Sequence, residues 1–187
     1  VDDHVGALLT TLDEQGLAED TVVVVTADHG DMLGERGLWY KMAPFEGSIR
    51  VPLIVYAPSW FRPRRVAEPV SLLDLLPTLV DLAGGFGEEG PAAPLDGQSL
   101  LGALAEGSAP GRDIPVEYLA EGVRSPQVTL VRGSLKLVRG LGDPDLLYDL
   151  ASDPSERRNL AGADALPLEA ESLALALAAR WDLQRLD

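Results

Sequence analysis

The 187-residue chain has no cysteine, which excludes disulfides, thiolate metal sites and a cysteine nucleophile and leaves the redox compartment unspecified. Basic residues are scarce as well. Fifteen Lys and Arg against thirty Asp and Glu give a formal charge of −15, a field that repels phosphate backbones, so nucleic acid is not an expected partner. No apolar run approaches the ~20 residues of a membrane span, and no membrane partner is expected. Val1-Asp2-Asp3-His4 lacks the basic opening of a signal peptide, so the expected location is cytoplasmic. The chain does not start with Met, and the expectation is therefore a piece of a longer protein, with any targeting signal upstream left open. Repeats and low-complexity tracts are also missing.

What is present is an apolar content of 46%, enough for the core of one domain or one domain's worth of a larger one. Val1, Val5, Leu8, Leu9 and Leu12 recur at helical spacing, which predicts an amphipathic helix over 1–15 closed by Gly16. Asp2 and Asp3 suit the first turn of that helix by its dipole. Val22 to Val25 form an unalternating β-branched run that predicts a strand buried on both faces, as in a parallel sheet. Residues 31–41 read as a Gly-spaced loop, and 51–57 as a second central strand. Asp74 is expected to cap a helix running to Ala83 and stopped by Gly84, with Pro77 in its first turn and Leu75, Leu79 and Leu82 or Ala83 facing the sheet.

A Gly, Pro and Glu-rich stretch from Gly84 to Pro94 marks a surface loop and a candidate boundary. Beyond it, short runs at 115–119, 127–132, 135–139 and 146–150 predict a small antiparallel sheet. Asp153-Pro154 breaks the chain. Residues 166–183 then carry Ala170, Leu173, Leu177 and Trp181 on one face, a packed terminal helix.

The chemistry gathers just after the first strand. Asp28 and His29 sit at its carboxyl end, where open α/β sheets collect ligands. They offer an oxygen and a nitrogen suited to a divalent cation of intermediate softness, or else Asp28 simply caps the next turn. Lys41 can bring an ammonium near an anion, Gly47 allows a tight turn, and Arg50 can pair with Glu46. Trp39 and Tyr40 either line a pocket or pack against the rest of the chain.

Taken in order, D-H-G followed by K-x-x-x-x-E-G-x-x-R-V-P resembles the sulfatase family of the alkaline phosphatase-like superfamily. The longer string DHGDMLGERGLWYKM-x-x-FEGS-x-R-VPL is similar to the choline sulfatase branch, with phosphonate monoester and phosphodiester hydrolases close behind. LLYDLASDPSERRNLA resembles the tail segment of sulfatases, and ARWDLQR the choline sulfatase ending. Ala27 stands where Ser is usual, Ala43-Pro44 where an Asn-aromatic pair is common, and the stretch after Glu121-Gly122 departs from the family pattern.

The resemblance implies an α/β fold, the C-terminal part of an alkaline phosphatase-like sandwich: a mostly parallel sheet flanked by helices over 1–110, then a subdomain over 111–187 with a small antiparallel sheet and a terminal helix. It implies Asp28 and His29 as ligands of one divalent cation (Ca, Mn or Mg), Lys41 as a sulfate contact, and Gly30, Glu46, Gly47 and Arg50 as a structural segment. In the family the C/S-x-P-x-R motif, whose Cys or Ser becomes formylglycine, and the N-terminal Asp pair precede the segment matched here, so the nucleophile is expected from a preceding segment and the chain alone is expected to be inactive. The implied substrate is a small sulfate ester, choline sulfate first, with phosphonate monoester or phosphodiester hydrolysis or a catalytically silent domain as alternatives. The quaternary ammonium of choline would suit Glu117, Tyr118 and Glu121, which otherwise read as an edge strand with solvated charges. A homo-oligomer is implied for the full-length protein.

Overall fold

A computed structural model describes residues 1–87, 90–119, 124–162 and 168–186. The chain opens with helix α1 (Asp2–Glu14), led by its two acidic residues and followed by Gly16 in the left-handed region that glycine tolerates. A 3₁₀ turn (Ala18–Asp20) leads to strand β1 (Val23–Thr26). The stretch expected to be a loop instead contains a hairpin, β2 (Met32–Leu33) and β3 (Trp39–Tyr40), closed by a turn at Glu35–Gly37. One helical turn, α2 (Glu46–Ile49), then precedes strand β4 (Leu53–Tyr56).

β1 and β4 pair antiparallel, Val23 opposite Tyr56 through Thr26 opposite Leu53. Val22 to Val25 are half-buried rather than buried on both faces, and β4 alternates half-buried with exposed. The reason is that among the described residues each of these strands has one neighbour only, so a β-branched run built for a sheet interior lies at an edge.

Helix α3 (Leu75–Leu82) also departs from its predicted face. Its buried residues are Pro77 and Thr78, while Leu76 and Leu79 are about half exposed. Ser71 rather than Asp74 does the capping: its hydroxyl accepts from the Leu73 amide, and the Asp74 carboxylate accepts in return from the Ser71 amide at 2.8 Å. Fully buried, Asp74 also accepts from the Gln98 amide at 2.9 Å and pairs with Arg112. Thr78 donates to the Asp74 carbonyl at 2.6 Å and accepts from the Leu100 amide at 2.8 Å, just before helix α4 (Leu101–Glu106). These polar bonds, invisible to a periodicity count, set which side of α3 turns inward.

The remaining strands are β5 (Asp113–Tyr118), β6 (Gln127–Arg132), β7 (Leu135–Gly140) and β8 (Leu146–Asp149), an antiparallel meander in sequence order. Helix α5 (Leu168–Arg180) covers one face, and a short α6 (Leu183–Leu186) follows. Val128, Leu130, Leu137 and Leu147 of the sheet close on Ala170, Leu173, Leu177 and Trp181, the helical face expected from spacing. Because strand side chains alternate, Lys136, Val138, Thr129, Val131 and Tyr148 occupy the opposite face. No helix among the described residues is long and apolar enough to cross a membrane.

Candidate functional site

The loop leaving β1 presents Asp28 and His29 together. Asp28 Oδ1 accepts from the His29 amide at 3.0 Å, and His29 Nδ1 lies 2.9 Å from the Gly30 carbonyl. A carbonyl only accepts, so Nδ1 carries a proton and, in the neutral ring, Nε2 keeps its lone pair. That nitrogen lies 3.5 Å from Asp28 Oδ2, and the carboxylate is largely solvent-exposed. Two lone-pair atoms at this spacing suit two ligands of one cation bound at ~2.0–2.4 Å. The His29 amide, then the charge of the His29 ring, hold the Asp28 carboxyl below the ordinary aspartate value, and the charge of Lys41 acts in the same direction.

Backbone contacts fix this pair. The Gly30 amide donates to the Ser48 carbonyl at 2.7 Å, and a Cβ on residue 30 would collide with the Gly47 carbonyl. Gly47 is tight in turn, because a Cβ there would lie 2.9 Å from Met32 Sδ. The same turn holds Lys41, whose carbonyl accepts from Ser48 Oγ at 2.6 Å and from the Ala43 amide at 2.8 Å. Tyr40, just before it, has φ of 66°, a left-handed kink that turns the chain at this point. Helix α2 is therefore the clamp on which Asp28-His29-Gly30 and Lys41 both rest. Trp39 and Tyr40 are exposed rather than packed.

Arg50, itself exposed, pairs with Glu46 only at 4.0 Å. The strong partners of Glu46 are residues that sequence reasoning missed. Lys136 Nζ donates to Glu46 Oε1 at 3.0 Å and to Glu156 Oε1 at 2.6 Å, and Glu156 Oε2 accepts from the Glu46 amide at 2.8 Å. Arg36, on the turn of the β2–β3 hairpin, places its guanidinium 4.2 Å from the centre of the Phe45 ring and 5.8 Å from that of Tyr148. It also donates to the Ser155 carbonyl at 3.3 Å. Burial is the first cause lifting the Tyr148 hydroxyl above its ordinary value.

The expected ammonium-binding set is not brought together. Glu117 lies opposite Val128 on the α5 face and accepts a 2.5 Å hydrogen bond from the Trp181 indole. Tyr118 follows on the other face, by strand alternation, and Glu121 lies outside the described residues. Among the described residues, no group of three or more His, Cys, Asp and Glu side chains is placed to hold a metal ion. Asp28 and His29 fit as two of a cation's ligands and supply no more than that.

A family model described as sulfatase matches residues 1–85. The chain is 41% identical to a choline-sulfatase of Rhizobium meliloti (strain 1021) over 100% of its own length and 36% of that protein. It is 34% identical to arylsulfatase K of Danio rerio, with 86% of the chain covering 31% of the relative. Among solved structures, the phosphonate monoester hydrolase of Silicibacter pomeroyi superposes with a TM-score of 0.74 at 33% identity, over 96% of this chain and 37% of that one. The chain thus spans about a third of the length of the curated relatives it matches.

Proposed function

This chain belongs to the sulfatase family and has its alkaline phosphatase-like α/β fold, and on that footing we propose that it supplies one wall of the active site of a sulfuric ester hydrolase. In this reading residues 1–110 are the catalytic-domain portion and 111–187 a C-terminal subdomain. One observation supports the proposal: α2 bonds both the Asp28-His29-Gly30 loop and the Lys41 backbone, so the candidate cation ligands and the residue that bears the ammonium rest on one turn.

Asp28 Oδ2 and His29 Nε2 would hold a divalent cation, which when bound supplies positive charge against sulfuryl oxygens and lowers the pKa of a bound nucleophile. The Gly30 carbonyl fixes the tautomer of the neutral His29 ring, which leaves the lone pair on the nitrogen facing Asp28. Lys41 adds a second cationic group where charge develops on the sulfuryl oxygens. The nucleophile would come from outside residues 1–187, since no cysteine is present to be converted and the S-x-P-x-R string at Ser108–Arg112 follows the Asp28-His29 segment and has its arginine paired with buried Asp74.

Choline sulfate is the substrate we favour, on the likeness to a choline-sulfatase along the whole chain. Trp39 and Tyr40, exposed beside Lys41, are the aromatic faces within this wall that a quaternary ammonium would use, while Glu117 is committed to Trp181. The structural likeness to a phosphonate monoester hydrolase supports a second reading, in which the same wall serves phosphonate monoesters.

The test assays the full-length protein carrying this chain on choline sulfate, an aryl sulfate and a phosphonate monoester, with Ca, Mg or Mn supplied. Sulfate release with choline sulfate preferred is the expected result, and Lys41→Ala should lower kcat by about 100- to 1,000-fold. Preference for the phosphonate establishes the second reading, and no hydrolysis of any of the three overturns both.

A further inference from the structure

We propose that Lys136 is a positioning residue for the candidate site, acting through Glu156 and Glu46 on α2 and thereby on Asp28, His29 and Lys41. This rests on the reading of those three as site residues.

Lys136 is fully buried in the middle of β7, on the sheet face turned away from α5. It adds nothing to the apolar core on the other face, and a buried ammonium is costly unless tightly paired. Its partners tie two regions far apart in sequence: Glu46 on the clamp and Glu156 in the turn after Asp153-Pro154. Glu156 itself is buried and sits at φ of 53°, a conformation that its surroundings must impose. Its two oxygens divide the work, one taking the Lys136 ammonium and the other the Glu46 amide.

α2 is a single turn of four residues, far below the length at which a helix is stable alone. Its amide and its first side chain are therefore held from outside, by Glu156 and Lys136. The next two residues of the turn meet the site: Gly47 presses on Gly30, and Ser48 bonds both Gly30 and Lys41. The path from Lys136 to the Asp28-His29 loop is thus a short run of hydrogen bonds through Glu156 and Glu46, and one glycine contact. Arg36, stacked on Phe45 and bonded to Ser155, braces the same junction from the hairpin side.

The experiment is amide hydrogen exchange on the full-length protein that carries this chain, with no substrate or metal, comparing the parent with Lys136→Met and Lys136→Arg. Exchange at the Gly30 amide should rise at least ~10-fold in Lys136→Met, while β6 amides such as Val128 and Leu130 keep their protection. Lys136→Arg should restore most of the protection at Gly30. If Lys136→Met does not fold, Glu156→Gln is measured instead, since it keeps shape and acceptor while removing the charge facing Lys136, and the same selective rise is expected. Unchanged Gly30 exchange, or a rise no greater than that of β6, overturns the inference. In the full-length enzyme Lys136→Met should lower kcat ~10- to 100-fold with KM little changed, and Arg should recover it. Because exchange needs no turnover, failure of the sulfate ester reading leaves this measurement standing, and failure of the exchange result leaves that reading untouched.

Discussion

The meander of β5 to β8 with α5 and the region that bears the candidate site are built in opposite ways. In the first, one sheet face is sealed by the chain's own helix, and Val128, Leu130, Leu137, Leu147, Leu173 and Leu177 are almost wholly removed from water. In the second, the buried apolar side chains include Met32, Ala43, Ala57, Leu100 and Ala103 together with Pro44 and Pro77, mostly small, while Leu8, Ile54 and Leu76 stay more than half exposed. Order there comes from specific polar bonds: Asp74 with Arg112, Gly30 with Ser48, and Lys136 with its two glutamates. An apolar core resists small displacements because many weak contacts share the load, whereas a polar framework fails locally when one member is lost. The sheet therefore acts as the rigid body, and the site loop is hung from it.

The sharpest way to break this comparison is to cut a polar bond in the open region. Asp74→Ala leaves Arg112, the Ser71 amide and the Gln98 amide without their acceptor in a buried place. Losing one member of such a pair costs about 3–5 kcal/mol, read as a shift of the denaturant midpoint. A loss under ~1 kcal/mol would mean that solvent already reaches this carboxylate, and the polar framework would not be what orders the region. Next comes the core itself. Leu173→Ala should cost about 2–5 kcal/mol, while Leu76→Ala, half exposed, should stay within ~0.5 kcal/mol. Equal costs would erase the contrast between the two regions.

How much of this could be read from the sequence divides along the same line. The four strands and the α5 face were legible because Ala170, Leu173, Leu177 and Trp181 repeat at helical spacing and pack where that spacing puts them. The helix α3 was legible as well, but its buried face was not, because Asp74 and Thr78 turn inward for hydrogen bonds and leave Leu79 outside. Val22 to Val25 show the opposite failure: the residues suit a two-sided sheet, but their only described strand neighbour is β4. Asp28, His29 and Lys41 stood out by motif, and in the structure the Gly30 amide beside the first two and the Lys41 carbonyl both bond to Ser48 of α2. Lys136 gave little signal, since a charge alternating with Leu135 and Leu137 looks like a strand's solvent face. Its burial depends on Glu156, 20 residues on, and on Glu46, 90 residues back, pairings that no local pattern encodes.

The smallest effect expected concerns the turn that delivers Glu156. Asp153 Oδ2 accepts from the Arg158 amide at 2.8 Å, and the Asp153 carbonyl accepts from the Glu156 amide at 3.0 Å. The amides of Arg158 and then Arg157 hold the Asp153 carboxyl below the ordinary aspartate value of 3.8, with the charges of Arg36 and Arg157 adding less. A carboxyl depressed in the folded state stabilises the fold above its unfolded value and loses that contribution as pH falls through its folded value. The turn should therefore loosen only below pH 3.8, seen as a shift of the Asp153 carboxyl carbon and of the Arg158 amide in an NMR titration. Raising the salt from low to about 1 M should move the midpoint only slightly, because screening weakens the two arginine charges and leaves the amide bonds in place. A midpoint that returns to 3.8 in high salt would mean that the arginine charges, rather than the backbone, hold the turn. The link from the sheet to α2 would then be as salt-sensitive as the exposed contacts around it, and the contrast between a firm sheet and a hung site loop would weaken at the joint between them.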